Sequence, residues 1–274
     1  MRLSRHVVLA VLAPAVFWSV PVQAASLLAP HRAVYDLALD RASDRSGITG
    51  LAGRMVYEFN GSPCEGYTVS FRFVTRIDTT ESSKMTDQQT TTFEEGDGKS
   101  FSFVTKSFTD QTLERELKGK ATTEPDGLKV MLDKPETNSI ELRKTQFPTQ
   151  HLVELINKAN KGETFYETNL FDGSEDADKV MTTTVIVGKK AKAETADPEL
   201  PALKALATQT FWPVDIAYFD ESNDGGEELP EYRISFKLHE NGLTRDLIMD
   251  YGEFSMKGKL VNLTVFDQPT QSCK

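Results

Sequence analysis

The chain has 274 residues, a formal net charge of −10 and an isoelectric point near 5.0. This acidic excess repels phosphate backbones and anionic lipid headgroups, which excludes nucleic-acid binding and electrostatic membrane docking as expected functions. A chain of this length can bury a substantial core in one domain or in two small ones.

The N-terminus has the three parts of a secretory signal peptide. A short basic start precedes an apolar run at residues 7–20, and small residues lead up to Ala24. The run is shorter than the roughly 20 residues that span a bilayer, and Pro14 interrupts it. We therefore predict that residues 1–24 are cleaved and that residues 25–274 form a periplasmic protein without stable membrane insertion.

Two cysteines, Cys64 and Cys273, bracket most of the mature chain. An exported chain with an even, minimal cysteine count most simply contains one disulfide, formed in an oxidising compartment. A redox pair is the weaker interpretation because the chain has no C-x-x-C motif. We predict a structural bond that ties the C-terminal tail to an early segment.

Period-two alternation of apolar and polar residues dominates the chain and is typical of antiparallel strands with one dry face. It is clearest at residues 67–77, 232–238 and 243–251, and Asn241-Gly242 between the last two runs predicts a hairpin with a two-residue turn. These patterns predict a mainly β fold, a long antiparallel meander curled into a barrel-like or spiral sheet. The further strand candidates are residues 31–40, 48–60, 84–95, 99–108, 111–119, 127–132, 163–171, 178–188, 208–220 and 255–266.

One helix is predicted at about residues 149–160, because apolar residues recur there at helical spacing and Gly162 follows. Such a helix plugs a barrel mouth or covers an open face. A weaker helix is predicted through residues 199–207. Residues 189–198 before it are expected to be exposed, and the whole stretch 189–207 would join sub-regions 25–188 and 208–274 within a single domain.

Signals for catalysis or metal binding are poor. His31, His151 and His239 are isolated in sequence; we expect His239 to be solvated and His151 to be neutral or solvent-facing. Acidic clusters at residues 172–178 and 220–228 lack EF-hand spacing and are interpreted as solvated turns. We therefore predict no catalytic residue, no bound metal and no cofactor.

Candidates for ligand contact are few and weak. Leu152, Leu155 and Ile156 form the apolar stripe of the predicted helix, and Trp212 is the one tryptophan of the mature chain. Because Pro213 follows it, Trp212 is expected to open a strand at a sheet edge. An aromatic residue there is more often core or rim material than the lining of a ligand cavity.

Several segments resemble the EipB-like cell-envelope integrity proteins of alphaproteobacteria. They are HRAVYDL at residues 31–37, GRMVYEFN at 53–60, DQQTTTFEEGDG at 87–98, FWPV at 211–214 and NGLTRDLIMDYG at 241–252. The resemblance implies a periplasmic protein with a spiralling antiparallel sheet, distantly similar in build to lipoprotein carriers. It also implies a disulfide between Cys64 and Cys273 and no defined catalytic residue.

Three functions are compatible with these features. The first is a non-enzymatic factor for cell-envelope integrity and stress resistance that binds an apolar ligand, such as an acyl chain or lipoprotein, on a concave dry surface. The second is an interaction scaffold that contacts another periplasmic protein. The third and most remote is an envelope hydrolase, since no pair of acids lies on a rigid apolar site.

Overall fold

The computed structural model describes residues 28–220 and 229–267. The predicted signal peptide and Cys273 lie outside these ranges. The elements of the first part are β1 (His31–Ala42), β2 (Ile48–Ser62), β3 (Gly66–Thr79), β4 (Ser83–Glu94), β5 (Ser100–Thr109), β6 (Thr112–Glu124), β7 (Gly127–Lys134), β8 (Asn138–Leu142) and α1 (Pro148–Asn160). Those of the second part are β9 (Phe165–Leu170), β10 (Met181–Val187), β11 (Ala191–Lys192), α2 (Leu200–Leu203), β12 (Thr210–Phe219), β13 (Tyr232–His239), β14 (Thr244–Asp250) and β15 (Phe254–Val265).

The described strands form one antiparallel sheet in which strands adjacent in sequence are mostly adjacent in space. The order is β8-β7-β6-β5-β4-β3-β2-β1-β15-β14-β13-β12-β10-β9, and the short β11 pairs with β12. This confirms the predicted mainly β meander. β1 pairs with both β2 and β15, so the first and last strands lie side by side in mid-sheet. The sequence did not predict β8 and β11, because five and two residues are too short for a clear period-two pattern.

The sheet curls until its two edges nearly meet. Gln146, just after β8, forms an isolated bridge with Leu170 of β9. The Phe171 N–H donates to the carbonyl oxygen of Gln146 at 3.0 Å. α1 lies inside the curl, beside the turns at residues 95–99 and 240–243, and we call this the helix end. The open end is opposite, at the turns of residues 80–82, 110–111 and 251–253.

Two apolar clusters occupy the inner face of the curled sheet. The larger one joins α1 to β1, β2, β9, β10 and β12–β15, and the smaller one lies under β5–β8. In the smaller cluster the rings of Phe101 and Phe147 stack with centroids 5.2 Å apart, and Phe171 meets both edge-on. Burial of each such ring contributes about 1.5–3 kcal/mol to folding, so these clusters hold the curl closed.

Glu94 anchors α1 to the sheet. The helix begins after Phe147, which has no side-chain bond to its first turn. The Glu94 carboxylate, at the end of β4, accepts from the backbone N–H groups of Thr149 at 2.7 Å and Gln150 at 3.0 Å. First-turn N–H groups have no partner within a helix, and negative charge there also complements the helix dipole. A residue from β4 therefore supplies the cap that the local sequence lacks.

The other helical and turn predictions have mixed outcomes. The helix predicted at residues 149–160 is confirmed as α1, and the weaker one at 199–207 corresponds to α2 and a 3-10 helix at Lys204–Thr208. A hairpin at Asn241-Gly242 is confirmed, but the predicted two-residue turn is wrong, because residues 240–243 form a four-residue connection. Among the described residues, no helix has the length and apolar character needed to span a bilayer.

The expectation that Trp212 opens a strand at a sheet edge is wrong. β12 pairs with β10 on one side and β13 on the other, so it is an interior strand. Trp212 is buried in the larger cluster, and Pro213, which has no N–H, is exposed opposite Lys237. The strand tolerates the proline because it faces the end of β10, whose last paired residue is Val187. Its carbonyl oxygen accepts from the Gly188 N–H at 2.7 Å, and its missing N–H falls beyond the last ladder pair.

Replacing Glu94 with alanine removes both acceptors from the first turn of α1. We expect the free energy of unfolding to fall by about 1–2 kcal/mol, the usual cost of a lost cap. Urea unfolding followed by circular dichroism measures this. Glu95→Ala changes the next residue, which is exposed, and should leave the midpoint unchanged. An equal loss in the two variants would contradict the capping role.

Cys64 lies in the exposed turn between β2 and β3 and is not a free thiol. Cys273 is outside the described residues, so the pairing stays a prediction. The bond would stabilise the fold by at most on the order of 5 kcal/mol, because it lowers the conformational entropy of the unfolded chain. We expect a reductant, or Cys64→Ser, to lower the melting temperature by several degrees without abolishing the fold. Identical melting curves with and without reductant would count against the bond.

Candidate ligand-binding face

The inner face of β3 is lined with apolar side chains that stay half-buried. Alternation places Tyr67, Val69, Phe71, Phe73 and Ile77 on this face, packed against the larger cluster. The rings of Phe71 and Phe73 stack with centroids 5.8 Å apart. A closely packed interior would bury these residues fully. Their partial exposure on the concave side leaves apolar surface for a ligand, and we call them the β3 wall.

Four aromatic rings form a continuous row where β12–β15 reach the open end. The centroids of Tyr218 and Tyr232 are 5.4 Å apart, those of Tyr232 and Tyr251 5.0 Å, and those of Tyr251 and Phe254 5.0 Å. Tyr251 is exposed and the other three are half-buried. Burial raises the pKa of Tyr218 and of Tyr232, so their hydroxyls stay uncharged at neutral pH. We call these four residues the rim row.

β4 interrupts the apolar lining with polar side chains. The strand register places Gln88 opposite Phe73 and Thr90 opposite Phe71, so both polar residues belong to the inner face. Gln88 is exposed and Thr90 is half-buried, with its hydroxyl 3.0 Å from that of Thr105 on β5. The inner-face residues of β4 that we call the polar stripe are Thr86, Gln88, Thr90 and Thr92.

The four ligand candidates named from the sequence lie in the packed part of the interior. Leu155, Ile156 and Trp212 are buried in the larger cluster, and Leu152 packs against it. The Lys190 ammonium lies over the Trp212 ring, 4.3 Å from its centroid, so one face of the ring is covered. These residues hold α1 on the sheet. The sequence placed the β3 wall and rim row on strands but did not identify them as ligand surface.

A charged cluster on the outer face surrounds the fully buried Arg245. Its guanidinium donates to Asp197 at 2.8 Å, to Glu199 at 3.0 Å and to His239 Nε2 at 3.1 Å. Glu199 also accepts from one backbone N–H of β14 and one of β15, beyond the point where the pairing of these two strands ends at Leu247 and Gly258. Both carboxylates are bound and buried, an arrangement suited to fixing the 191–208 segment rather than to acid–base catalysis.

One sequence signal pointed to this cluster. By strict alternation Arg245 would fall on the apolar side of β14, on the same face as Leu247 and Met249, and a charged residue does not fit that face. Its partners Asp197 and Glu199 belong to a stretch that is otherwise mostly exposed, as predicted. The expectation that His239 is solvated is wrong, because this same stretch covers the outer face of the sheet at that position.

The acidic turns form ion pairs with basic side chains. Asp176 binds Arg115, while Lys179 lies 2.9 Å from Asp220 and 3.3 Å from Glu231. Residues 221–228 of the second acidic cluster lie outside the described ranges. Within the described part of the chain, no three His, Cys, Asp or Glu side chains are arranged to hold a metal ion.

The pH dependence of stability should report on the buried histidines. Burial lowers the pKa of His151 to about 4, and burial with the nearby Arg245 does the same for His239. A folded-state pKa below the unfolded value of about 6.5 means that the unfolded chain binds protons first. The stability contributed by neutral His151 is therefore complete above pH 6.5 and is lost as the pH falls toward 4.

We expect the wild type to lose more free energy of unfolding than His151→Leu between pH 7 and pH 4, by on the order of 2 kcal/mol. Urea unfolding at several pH values measures the difference, and acidic groups common to both proteins cancel. Asn157→Leu changes an exposed, non-titrating residue of α1 and should keep the wild-type slope. Parallel curves for wild type and His151→Leu would refute the assignment.

Comparison with known proteins agrees with this architecture. The profile of the EipB-like family matches residues 22–267. Cell envelope integrity protein EipB of Brucella abortus (strain 2308) is 57% identical over 243 residues, which cover 88% of this chain and 85% of the relative. A crystal structure of a beta-barrel-like protein of unknown function from Brucella abortus matches with a TM-score of 0.84 and 55% identity, covering 88% of this chain and 99% of that one. This chain is a member of the EipB-like family.

Proposed function

We propose that this protein is a non-enzymatic periplasmic factor that supports cell-envelope integrity by holding an acyl chain, from a lipid or a lipoprotein anchor, on its inner face. Envelope integrity is the role named for the Brucella abortus relative, which is 57% identical. The periplasmic location follows from the predicted signal peptide and disulfide. The acyl ligand is inferred from the geometry of the inner face.

The partial exposure of the β3 wall is the observation on which this proposal rests. Phe71 and Phe73 are half-buried on a concave face whose neighbouring interior is packed. The rim row continues aromatic surface at the open end of the same interior. Each methylene buried against such surface contributes about 0.8 kcal/mol, so a long acyl chain can offset the cost of association.

The two buried glutamates do not favour catalysis. Glu94 is bound by two N–H groups of α1, and Glu199 is bound by Arg245 and two backbone N–H groups. A general acid or base must reach the reacting group of a substrate. Both carboxylates instead fix structural elements, which supports a binding function over a hydrolytic one.

A second candidate function, an interaction scaffold, is favoured by one edge of the sheet. Phe165 of β9 is 62% exposed, and Ile186 of β10, directly opposite in register, is 50% exposed. Among the described residues, β9 pairs only with β10 apart from the bridge between Gln146 and Leu170. An open strand edge beside exposed apolar side chains can accept an extended segment of another protein.

Displacement of a fluorescent fatty acid tests the acyl-binding function. We expect saturable displacement by long-chain fatty acids and an affinity about five- to tenfold lower in Phe73→Ala, because truncation removes contact area. Phe165→Ala is the matched control on the outer face and should bind as the wild type does. The absence of both saturable binding and co-purified lipid would overturn the proposal.

The same two variants distinguish the scaffold function from the acyl-binding function. If the scaffold function is correct, cross-linking in intact cells should capture a specific partner, and Phe165→Ala rather than Phe73→Ala should reduce the capture. Specific capture together with no lipid binding would favour the scaffold over acyl binding.

A further inference from the structure

We propose that the ligand of the inner face is an amphiphile with an uncharged saccharide headgroup, which lies on the polar stripe while its alkyl chain lies against the β3 wall and the rim row. This inference rests on the proposed function and specifies the class of ligand.

The polar stripe is a departure from the pattern of the sheet. Most strands keep apolar residues on the inner face, whereas the inner face of β4 carries Thr86, Gln88, Thr90 and Thr92 between its ends. The outer face of β4 is also largely polar, so hydrophobic burial does not specify this strand. Two hydroxyl pairs join the stripe to its neighbours, at 2.7 Å between Thr86 and Thr75 and at 3.0 Å between Thr90 and Thr105.

A purely hydrocarbon ligand does not match this stripe. Gln88 is exposed on the inner face, and its amide has two donors and an acceptor that water can satisfy in the unbound protein. An alkyl chain lying over it would remove that water and offer no hydrogen bond, which costs free energy. A ligand that lies across both the β3 wall and the stripe must therefore supply polar groups of its own.

The stripe also favours an uncharged headgroup, because all four of its side chains are neutral. The charged inner-face residues of β4 stand at its two ends. Lys84 lies at the open end, and Glu94 is bound to α1 at the helix end. Arg115, further along the inner face, is bound to Asp176. The net charge of the chain, −10, further disfavours an anionic headgroup.

The side chains around the stripe are of the kinds that bind a saccharide, namely aromatic rings and neutral hydrogen-bonding groups. Phe71 stands opposite Thr90, and Phe73 opposite Gln88, so these two polar residues of the stripe each have an aromatic ring beside them. One face of a sugar ring presents C–H groups that pack on aromatic rings, and its hydroxyls exchange hydrogen bonds with amides and hydroxyls. The Thr90 hydroxyl keeps hydrogen-bonding capacity beyond its bond to Thr105.

Calorimetry with three probes tests the inference on the intact mature protein. The probes are dodecyl maltoside below its critical micelle concentration, dodecanoate with the same chain length, and free maltose. We expect dodecyl maltoside to bind at least tenfold more tightly than dodecanoate, with one saturable site. Maltose alone should bind weakly, because it lacks the alkyl chain.

Variants on the two faces of β4 provide matched controls. Gln88→Leu and Thr90→Val alter the inner face and should weaken dodecyl maltoside binding about five- to tenfold, with no loss of dodecanoate binding. Gln89→Leu and Thr91→Val make the same changes on the outer face and should leave both affinities unchanged. Thermal unfolding of each variant shows whether it folds, and Thr90→Val preserves the side-chain shape if Gln88→Leu does not fold.

The outcomes distinguish the inference from the proposed function. Equal affinities for the two amphiphiles, with no effect of the inner-face variants, would overturn the saccharide headgroup and leave acyl binding intact. Equal weakening by inner-face and outer-face variants would likewise overturn it. If neither amphiphile binds, acyl binding itself fails and the saccharide inference fails with it.

Discussion

The structure depends on the need to bury one face of a very long antiparallel sheet. Period-two alternation makes that face apolar along most strands, and a sheet of this length cannot leave it in water. Curling brings the two ends of the sheet close enough for Gln146, after β8, to bridge to β9, and it turns the apolar face inward, where α1 and two clusters lie. The inner-face side chains that they leave partly exposed form the candidate ligand face.

Local pattern predicted the elements well, because alternation and helical spacing depend on residues close in sequence. The strand at residues 67–77 and the helix at 149–160 are clear examples. Closure by Gln146 and Leu170 could not be predicted, since the bridge depends on the stagger accumulated over every strand between them. The cap of α1 by Glu94 was also missed, because its donor groups follow some fifty residues later.

His239 and Arg245 show how a correct local assignment can lead to a wrong environment. His239 stands on the outer face of β13, as alternation predicts, but the 191–208 segment covers that face. Asp246 adopts a positive φ of 53° at a bulge, which shifts the register between β13 and β14 and sends Arg245 to the same buried site. Neither effect has a signature within the strand itself.

The candidate ligand face was predictable in composition but not in exposure. The DQQTTT run of β4 already shows a strand polar on both sides, and the aromatic residues of β3 are evident in the sequence. Which inner residues stay accessible depends on how far α1 and the two clusters extend into the curl. The accessibility of a residue depends on the total volume of the side chains packed inside the curl, so no short sequence pattern predicts it.

The pairing of β1 with β15 also determines how late in folding the centre of the sheet can form. A strand near the start of the mature chain completes its hydrogen bonds only when one near the end arrives. A polypeptide that crosses a membrane N-terminus first must therefore be almost wholly translocated before its central ladder can form. For the exported protein proposed above, β1 would expose an unpaired edge until then, and the emerging chain would need protection from aggregation for the whole of that interval.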